Sequence, residues 1–423
     1  MFTILKKEII MDKQRLLILA PMSYGGRSLI KSAKKLNLQI CIATRKNVFE
    51  EYSEELKQLI DEVLIVDYSH EQSVIEKICQ YANTHPIHGI VAGFEFSSAM
   101  AVKTAHKLNL PTNDPTLADA CREKSLMYQA FNANKVPMAK TYECSSLEEC
   151  IEAASNLQFP VILKPCADAG SVNVLAVNSI TELKTTFKKI RSKQLEIYHE
   201  IKLNDLVILQ EFLQGNEVSV EIAVVKGSAH VLAVVNKITT HGPYFSELGH
   251  TLPSNLPIEE KENIARVAIQ AVQALGIKNG VAHVEIKLTM SGPKVVEVGA
   301  RLPGDKIVEL LDIALGINEA AIYIQIALGK IPNIQATKSK YAAIRFKVPS
   351  QQGIIKEYIN IETVMSLPGI VELELYKDKN AVVNNPESNL DRIGHVIAES
   401  TEYKKVCDIA DKAIAKWQVV MER

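Results

Sequence analysis

Two glutamates, Glu285 and Glu297, are spaced for shared chemistry. Strand side chains alternate faces, so in the apolar run Val281 to Leu288 the residues His283, Glu285 and Lys287 share one face. In the next run, Lys294 to Gly299, Glu297 and Gly299 share a face, joined by Arg301 if the strand persists. Thr-Met-Ser-Gly-Pro separates the runs, and a hairpin centred on Ser291 sets Glu285 directly across from Glu297. Two carboxylates about 4 Å apart repel by ~4 kcal/mol at an effective dielectric of ~20, and such cross-strand pairs are normally avoided. A cation between them removes the conflict. Carboxylate oxygens suit Mg²⁺, which takes one or two carboxylates and completes its shell with water and a nucleotide's phosphates. A solvated polar face is the plainer alternative.

Two further segments could serve such a ligand. Lys164-Pro165-Cys166-Ala167-Asp168-Ala169-Gly170-Ser171 is a strand-ending lysine followed by small residues whose amides can approach phosphate oxygens closely. It matches neither G-x-x-x-x-G-K-[ST] nor G-x-G-x-x-G, so alone it also reads as a loop that merely needs small residues. In Gln210 to Glu221, alternation points Glu217, Ser219 and Glu221 one way and Val218, Val220 and Ile222 the other. The valines are explained by a packed face. The acids Glu211, Glu217 and Glu221 are not.

The elements that must carry these residues fall into sections. Short apolar runs and helical stretches alternate through the first hundred residues, the pattern of a parallel sheet covered by helices. Leu-Asn-Leu-Pro-Thr-Asn-Asp-Pro at 108–115 breaks that rhythm and marks a boundary. The middle section reads as α+β: a polar helix from Leu117 to Asn134, a strand around Thr141, and strands Val207 to Leu213 and Val218 to Val225 joined as a hairpin through Gln214-Gly215-Asn216. An amphipathic helix covers Ile258 to Leu275. The tail offers strands at Ala342 to Val348 and Val371 to Tyr376 and a last helix from Tyr403 to Val419.

Composition excludes several classes. A chain of 423 residues with 47% hydrophobic and 23% charged residues buries a real core, so disorder and low complexity are out. Lys plus Arg total 48 against 49 Asp plus Glu, so no bulk charge steers the protein to nucleic acid or an anionic membrane. Seven cysteines without a C-x-x-C pair read as reduced thiols in a cytoplasmic protein. Charges at Lys6, Lys7 and Glu8 sit where a signal peptide needs apolar residues, and no run approaches a membrane span. Met11 reads as an alternative start, with the first ten residues a floppy extension.

In this order the pieces resemble the ATP-grasp family, and the resemblance covers nearly the whole chain. It implies a mixed α/β and α+β fold: a Rossmann-like N-terminal domain (1–115), a two-lobed ATP clamp (116–335, lid about 136–205) and a small C-terminal domain (336–423). By the resemblance, Lys124 of Arg122-Glu123-Lys124 and Lys164 contact ATP phosphates, and Gly170 and Ser171 belong to the loop closing over them. Glu211, Phe212 and Leu213 resemble the hinge that reads adenine, and Glu217 the acceptor from the ribose hydroxyls. Glu285 and Glu297 resemble the acids that bridge Mg²⁺, or Mn²⁺ in its place, and Arg301 the arginine steadying the transferred phosphoryl group. Two departures stand out: Gly299 where many members carry a ligating Asn, and Asn173 where the loop usually has a second glycine.

Phe245 to Ser254, Ala300 to Asp305, Gly93 to Phe96 and Arg392 to Ala398 look most like the carboxylate–amine ligases that include bacterial L-amino-acid (dipeptide) ligases. That resemblance puts Glu95, His250, Arg301, Gly304 and Asp305 at an amino-acid pocket, with Arg301, Lys164 and His250 in catalysis. A hydrogen-bonded structural role for His250 and a helix-start role for Glu95 are the alternatives. The implied reaction is ATP-dependent amide formation through an acyl phosphate, releasing ADP and phosphate, by a homodimer acting on small molecules. The competing readings are a bicarbonate- or formate-activating enzyme of purine or biotin-carboxylase type and a catalytically silent ATP-binding module.

Overall fold

A computed structural model describes residues 13–196, 200–240 and 242–422. The reading of Met11 as a start and of the first ten residues as an extension falls outside them.

The first section is a four-stranded parallel sheet in the order Glu62–Ile65, Gln39–Thr44, Arg15–Leu19, Gly89–Ala92. Its strands read as unbroken apolar runs because both faces are covered. Leu16, Ile18, Ile40 and Ile42 pack with Leu29 and Ile30 of the helix Tyr24–Lys35, while Leu17, Leu19, Cys41 and Ala43 pack with Ile75 and Ile78 of Glu71–Ala82.

The body of the molecule is an eight-stranded antiparallel sheet. Its order is Gly292–Gly299, Gly280–Thr289, Asn216–Val225, Ser228–Thr239, Glu247–Leu252, Tyr341–Lys347, Gly394–Ser400, Ile370–Leu375. Strands from the hairpin of Glu285 and Glu297 through to the C-terminal segment therefore share one hydrogen-bonded sheet. A second sheet, in the order Thr141–Cys144, Val207–Glu211, Val161–Pro165, Leu175–Val177, packs on the helices Leu147–Ala154 and Ile180–Ser192 around Cys150, Leu163, Leu183 and Phe187.

Three local expectations are corrected. Val207–Glu211 and Asn216–Val225 do not form a hairpin: the first pairs with Thr141–Cys144 and Val161–Pro165, the second with Ser228–Thr239 and Gly280–Thr289. Both edges of each strand are already taken, so residues 212–215 are the crossing between sheets. The helix expected over Leu117 to Asn134 is two short 3₁₀ turns and a helix at Lys124–Ala133. Glu123 is extended and the Lys124 amide donates to the Cys166 carbonyl, which interrupts the run. The last helix stops at Lys416, and Gln418–Glu422 is a strand paired with Gly353–Ile359, a partner far away in sequence.

Candidate functional site

The hairpin pairs Glu285 with Glu297 in register, as its spacing requires, but not by the simple centring on Ser291. Next to the turn, Thr289 pairs with Gly292 and Ile286 with Val295, and the register then shifts so that Glu285 meets Glu297 and His283 meets Gly299. Val296 is the extra residue of that bulge, and its carbonyl accepts from the Tyr128 hydroxyl at 2.8 Å.

The cleft beneath the hairpin is lined by the fifteen residues to which the resemblance gives a catalytic, nucleotide, metal or substrate role: Glu95, Lys124, Lys164, Gly170, Ser171, Glu211, Phe212, Leu213, Glu217, His250, Glu285, Glu297, Arg301, Gly304 and Asp305; Glu221 and Asn173 lie outside that lining. They come from both sheets, from the start of the helix Lys124–Ala133, from the turn after Gly89–Ala92, and from the segments that follow Val161–Pro165, Val207–Glu211 and Gly292–Gly299. Lys124 and Lys164 are each 4% exposed. Lys124 Nζ lies 3.0 Å from Glu297 Oε1 and donates to the Asp168 carbonyl at 2.8 Å. Lys164 Nζ donates to the Tyr128 hydroxyl at 2.8 Å, and burial pulls its pKa down against the opposing pull of Glu297 and Glu285.

Each acid has a lysine on its flank: Lys124 meets Glu297, and Lys237, absent from the set expected from sequence, meets Glu285. Lys237 Nζ lies 2.7 Å from Glu285, 2.8 Å from Glu217 and 2.6 Å from Glu247, and its side chain is 1% exposed. Burial lowers its pKa, but the three carboxylates outweigh burial and hold it well above the ordinary range. Burial likewise pushes Glu285 up, while Lys237 and His283 hold it well below. The one signal of Lys237 in the sequence is alternation on Ser228–Thr239, which puts it on the row of the buried Ala233 and Val235.

The acids left over in the sequence also find partners. In-register pairing with Gly280–Thr289 sets Glu217 against Lys287 and Glu221 against His283. Glu217 reaches Lys287 Nζ at 3.2 Å, and Glu221, fully buried, meets His283 Nδ1 at 2.9 Å. Glu211 accepts from the Lys140 amide at 3.2 Å at the mouth of the crossing.

At the other end, Glu95 and Arg301 form an ion pair, and Arg301 Nη1 donates to the Leu302 carbonyl. A Cβ on Gly299 would touch Arg301 Cζ and Glu95 Oε2 at 3.4 Å each. The Glu95–Arg301 pair therefore occupies the room a longer side chain would need. His250 Nε2 lies 2.9 Å from Asp305 Oδ2. In the loop after Val161–Pro165, Gly170, Ser171 and Asn173 all have positive φ, a region that Asn tolerates better than most side chains.

A divalent cation fits this donor set. Glu285 and Glu297 offer hard carboxylate oxygens from paired positions on the cleft wall, with Lys237 and His283 beside the first and Lys124 beside the second.

The sequence matches the ATP-grasp domain over residues 157–309 and the L-amino acid ligase C-terminal domain 2 over residues 345–422. Alanine–anticapsin ligase of Bacillus subtilis is 26% identical over 271 residues, 60% of this chain and 57% of that protein, so the match spans little more than half of the relative. Dapdiamide A synthase of Enterobacter agglomerans is 23% identical over 403 residues, 86% of this chain and 89% of that protein. The crystal structure of L-amino acid ligase from Bacillus licheniformis superposes with a TM-score of 0.81 at 20% identity, covering 97% of this chain and all of that one, which establishes the shared fold. The chain thus carries an ATP-grasp domain followed by an L-amino acid ligase C-terminal domain, on a fold shared with a solved L-amino acid ligase.

Proposed function

We propose that the protein is an ATP-dependent ligase that joins the carboxylate of an amino acid, or a related acid, to an amine such as a second amino acid, releasing ADP and phosphate. The observation that carries this reading is the convergence of Lys124, Lys164, Glu285, Glu297 and Arg301, drawn from four separate stretches of chain, on one cleft. Two lysines and an arginine facing two paired acids suit phosphoryl transfer, which asks for positioning and charge neutralisation rather than a protein nucleophile.

In this reading a carboxylate oxygen of the donor forms a bond to the γ-phosphorus and ADP leaves. The amine nitrogen then attacks the acyl carbon, the C–N bond forms, the C–O bond to phosphate breaks, and the amine gives up a proton. Lys124 and Lys164 bind phosphate oxygens, Arg301 steadies the phosphoryl group, and Glu285 and Glu297 are the residues that would hold Mg²⁺. When bound, the ion neutralises phosphate charge and orients the nucleotide's tail. Phe212 and Leu213 at the crossing flank the base, and Glu217 accepts from the ribose. Gly170 to Asn173 close over the phosphates and exclude water, which would otherwise hydrolyse the acyl phosphate.

The substrates are small molecules, the expected assembly is a homodimer, and the expected compartment is the cytoplasm. No helix of the described residues is long and apolar enough to cross a membrane. A pairwise screen of amino acids for nucleotide products tests the reading: ADP and phosphate dependent on both substrates support it, and AMP with pyrophosphate rules it out. ADP release driven by bicarbonate alone would favour the carboxylase-like alternative.

A further inference from the structure

One charged side chain organises the cleft without lining it, and it comes from the C-terminal segment. Arg392 is 4% exposed and its guanidinium lies 3.8 Å from the centre of the Phe346 ring. Nη1 donates to Asp305 Oδ1 at 2.6 Å, and Nη2 to Asp305 Oδ2 at 3.0 Å and Glu247 Oε2 at 3.2 Å. Nε donates to the Glu247 carbonyl at 3.1 Å. This is the planar, two-pronged geometry that a lysine cannot supply.

Both acids pass the constraint inward. Glu247 Oε1 reaches Lys237, the lysine shared with Glu217 and Glu285. Asp305 Oδ2 meets His250 Nε2. Burial would raise the Asp305 carboxyl, but Arg392 holds it well below the usual range, so it is an anion that can only accept. His250 must therefore carry its hydrogen on Nε2, and its tautomer is set from the C-terminal segment through one carboxylate.

The backbone points the same way. Asp305 and Lys306 both have positive φ, 54° and 59°, two consecutive non-glycine residues in the left-handed region just beyond Arg301. Asp305 is held by Arg392, and Lys306 pairs with Glu372 and, at 2.9 Å, Glu374. The strained step is gripped on both sides by residues of the 345–422 segment.

We infer that Arg392 is a positioning residue for the reaction: it holds Glu247 and Asp305 and, through them, Lys237 and His250 in the arrangement that serves the reacting groups. The kinetic part of this inference rests on the ligase reading above; the structural part does not. Arg392→Ala should lower kcat by about 10- to 100-fold, the usual effect of removing a residue that orients active-site side chains. Guanidinium ion added at tens of millimolar should restore part of that loss, which a purely structural role would not show. In ¹⁵N spectra of histidine-labelled protein, with the His250 signals assigned from His250→Gln, the wild type should show the Nε2-protonated ring. Arg392→Ala, which frees Asp305 to turn away, and Asp305→Leu, which removes the acceptor, should both lose it. If Arg392→Ala does not fold, Asp305→Leu decides the spectral question. A folded Arg392→Ala with turnover within twofold of the wild type, or no rescue by guanidinium, or an unchanged His250 ring in the folded variants, would overturn the inference. A wild type that turns over no substrate pair removes the ligase reading and leaves the spectral test standing.

Discussion

Glu285 faces Glu297 across the hairpin because the returning strand carries one surplus residue, Val296. Without that bulge the register beside the turn would continue, Glu285 would oppose Val296, and Glu297 would move to the other face of the sheet. Tyr128, whose hydroxyl holds the Val296 carbonyl and accepts from Lys164, fastens the bulge to the lysine that faces the same cleft.

The first prediction concerns the acid that this bulge turns into the cleft. Glu297→Gln keeps the shape but removes the charge that meets Lys124 at 3.0 Å. ADP formation should fall at least about 100-fold, the scale seen when one preorganised electrostatic partner is lost. The fold should survive, because the Glu297 side chain is 27% exposed and its neighbours Val295 and Val298 carry the packing. Turnover by product assay, alongside circular dichroism and calorimetric melting, reads both. Wild-type turnover would force reassignment of the metal ligands.

Lys237 should behave differently. Lys237→Met leaves the partly buried Glu217, Glu247 and Glu285 crowded together without the buried ammonium they share. Breaking a buried ion pair by removing one partner typically costs ~3–5 kcal/mol, so a marked drop in melting temperature is expected. Mg²⁺ should then raise the melting temperature of Lys237→Met by more than that of the wild type, since a divalent ion can replace the lost charge. Equal Mg²⁺ responses in the two proteins would show that the acids do not form one electrostatic unit.

A third expectation is a pH dependence at the grip on Lys306. The Glu372 carboxyl is lowered to about 2, first by its hydrogen bond with His395, against burial, with Lys306 adding to the effect. Its folded pKa lies below the ordinary value of 4.5, so its contribution is complete above pH 4.5 and is lost as pH falls through 2. Glu372→Gln should therefore unfold at lower urea concentration than the wild type at pH 7, and the gap should narrow progressively below pH 4.5. Urea midpoints over that range check it. A gap that is constant with pH would mean that Glu372 acts through packing alone.

How much of this was legible beforehand depends on whether the signal was local. The alternation that puts Glu285 on a cleft-facing row, the unbroken apolar strands of the first sheet and the helix Ile258–Ala274 are all written in neighbouring residues. Lys237 was not, because a lone lysine in a β-run shows its meaning only when Glu217, Glu247 and Glu285 arrive from three other strands. The same holds for Arg392, which reaches Asp305 from 87 residues away. The strand Gln418–Glu422 was hidden by the helical pattern that runs into it and by the distance to its partner.

The crossing between the two sheets looks like a hairpin turn in sequence, for a reason that makes its own prediction. Gln214-Gly215-Asn216 carries the residues of a tight turn, and local chemistry alone cannot distinguish a turn between paired strands from a step between sheets. What distinguishes them is the surroundings of Gly215. It has φ of +140°, and a Cβ there would lie 2.0 Å from the Leu288 carbonyl oxygen and 2.7 Å from its carbon. Those are backbone atoms of the strand that carries Glu285 and Lys287, so they cannot swing aside as a side chain would. Gly215→Ala must shift either the crossing or that strand. It should lower the melting temperature and weaken ATP binding, since Phe212 and Leu213 sit on the crossing and Glu285 on the strand. Gly227→Ala is the control: that glycine also has positive φ, but no atom lies within 4 Å of its added Cβ, so it bears the backbone cost without the clash. Nucleotide titration by calorimetry on both variants separates the two effects. If Gly215→Ala binds ATP as tightly as Gly227→Ala, the crossing is not the hinge that seats the base.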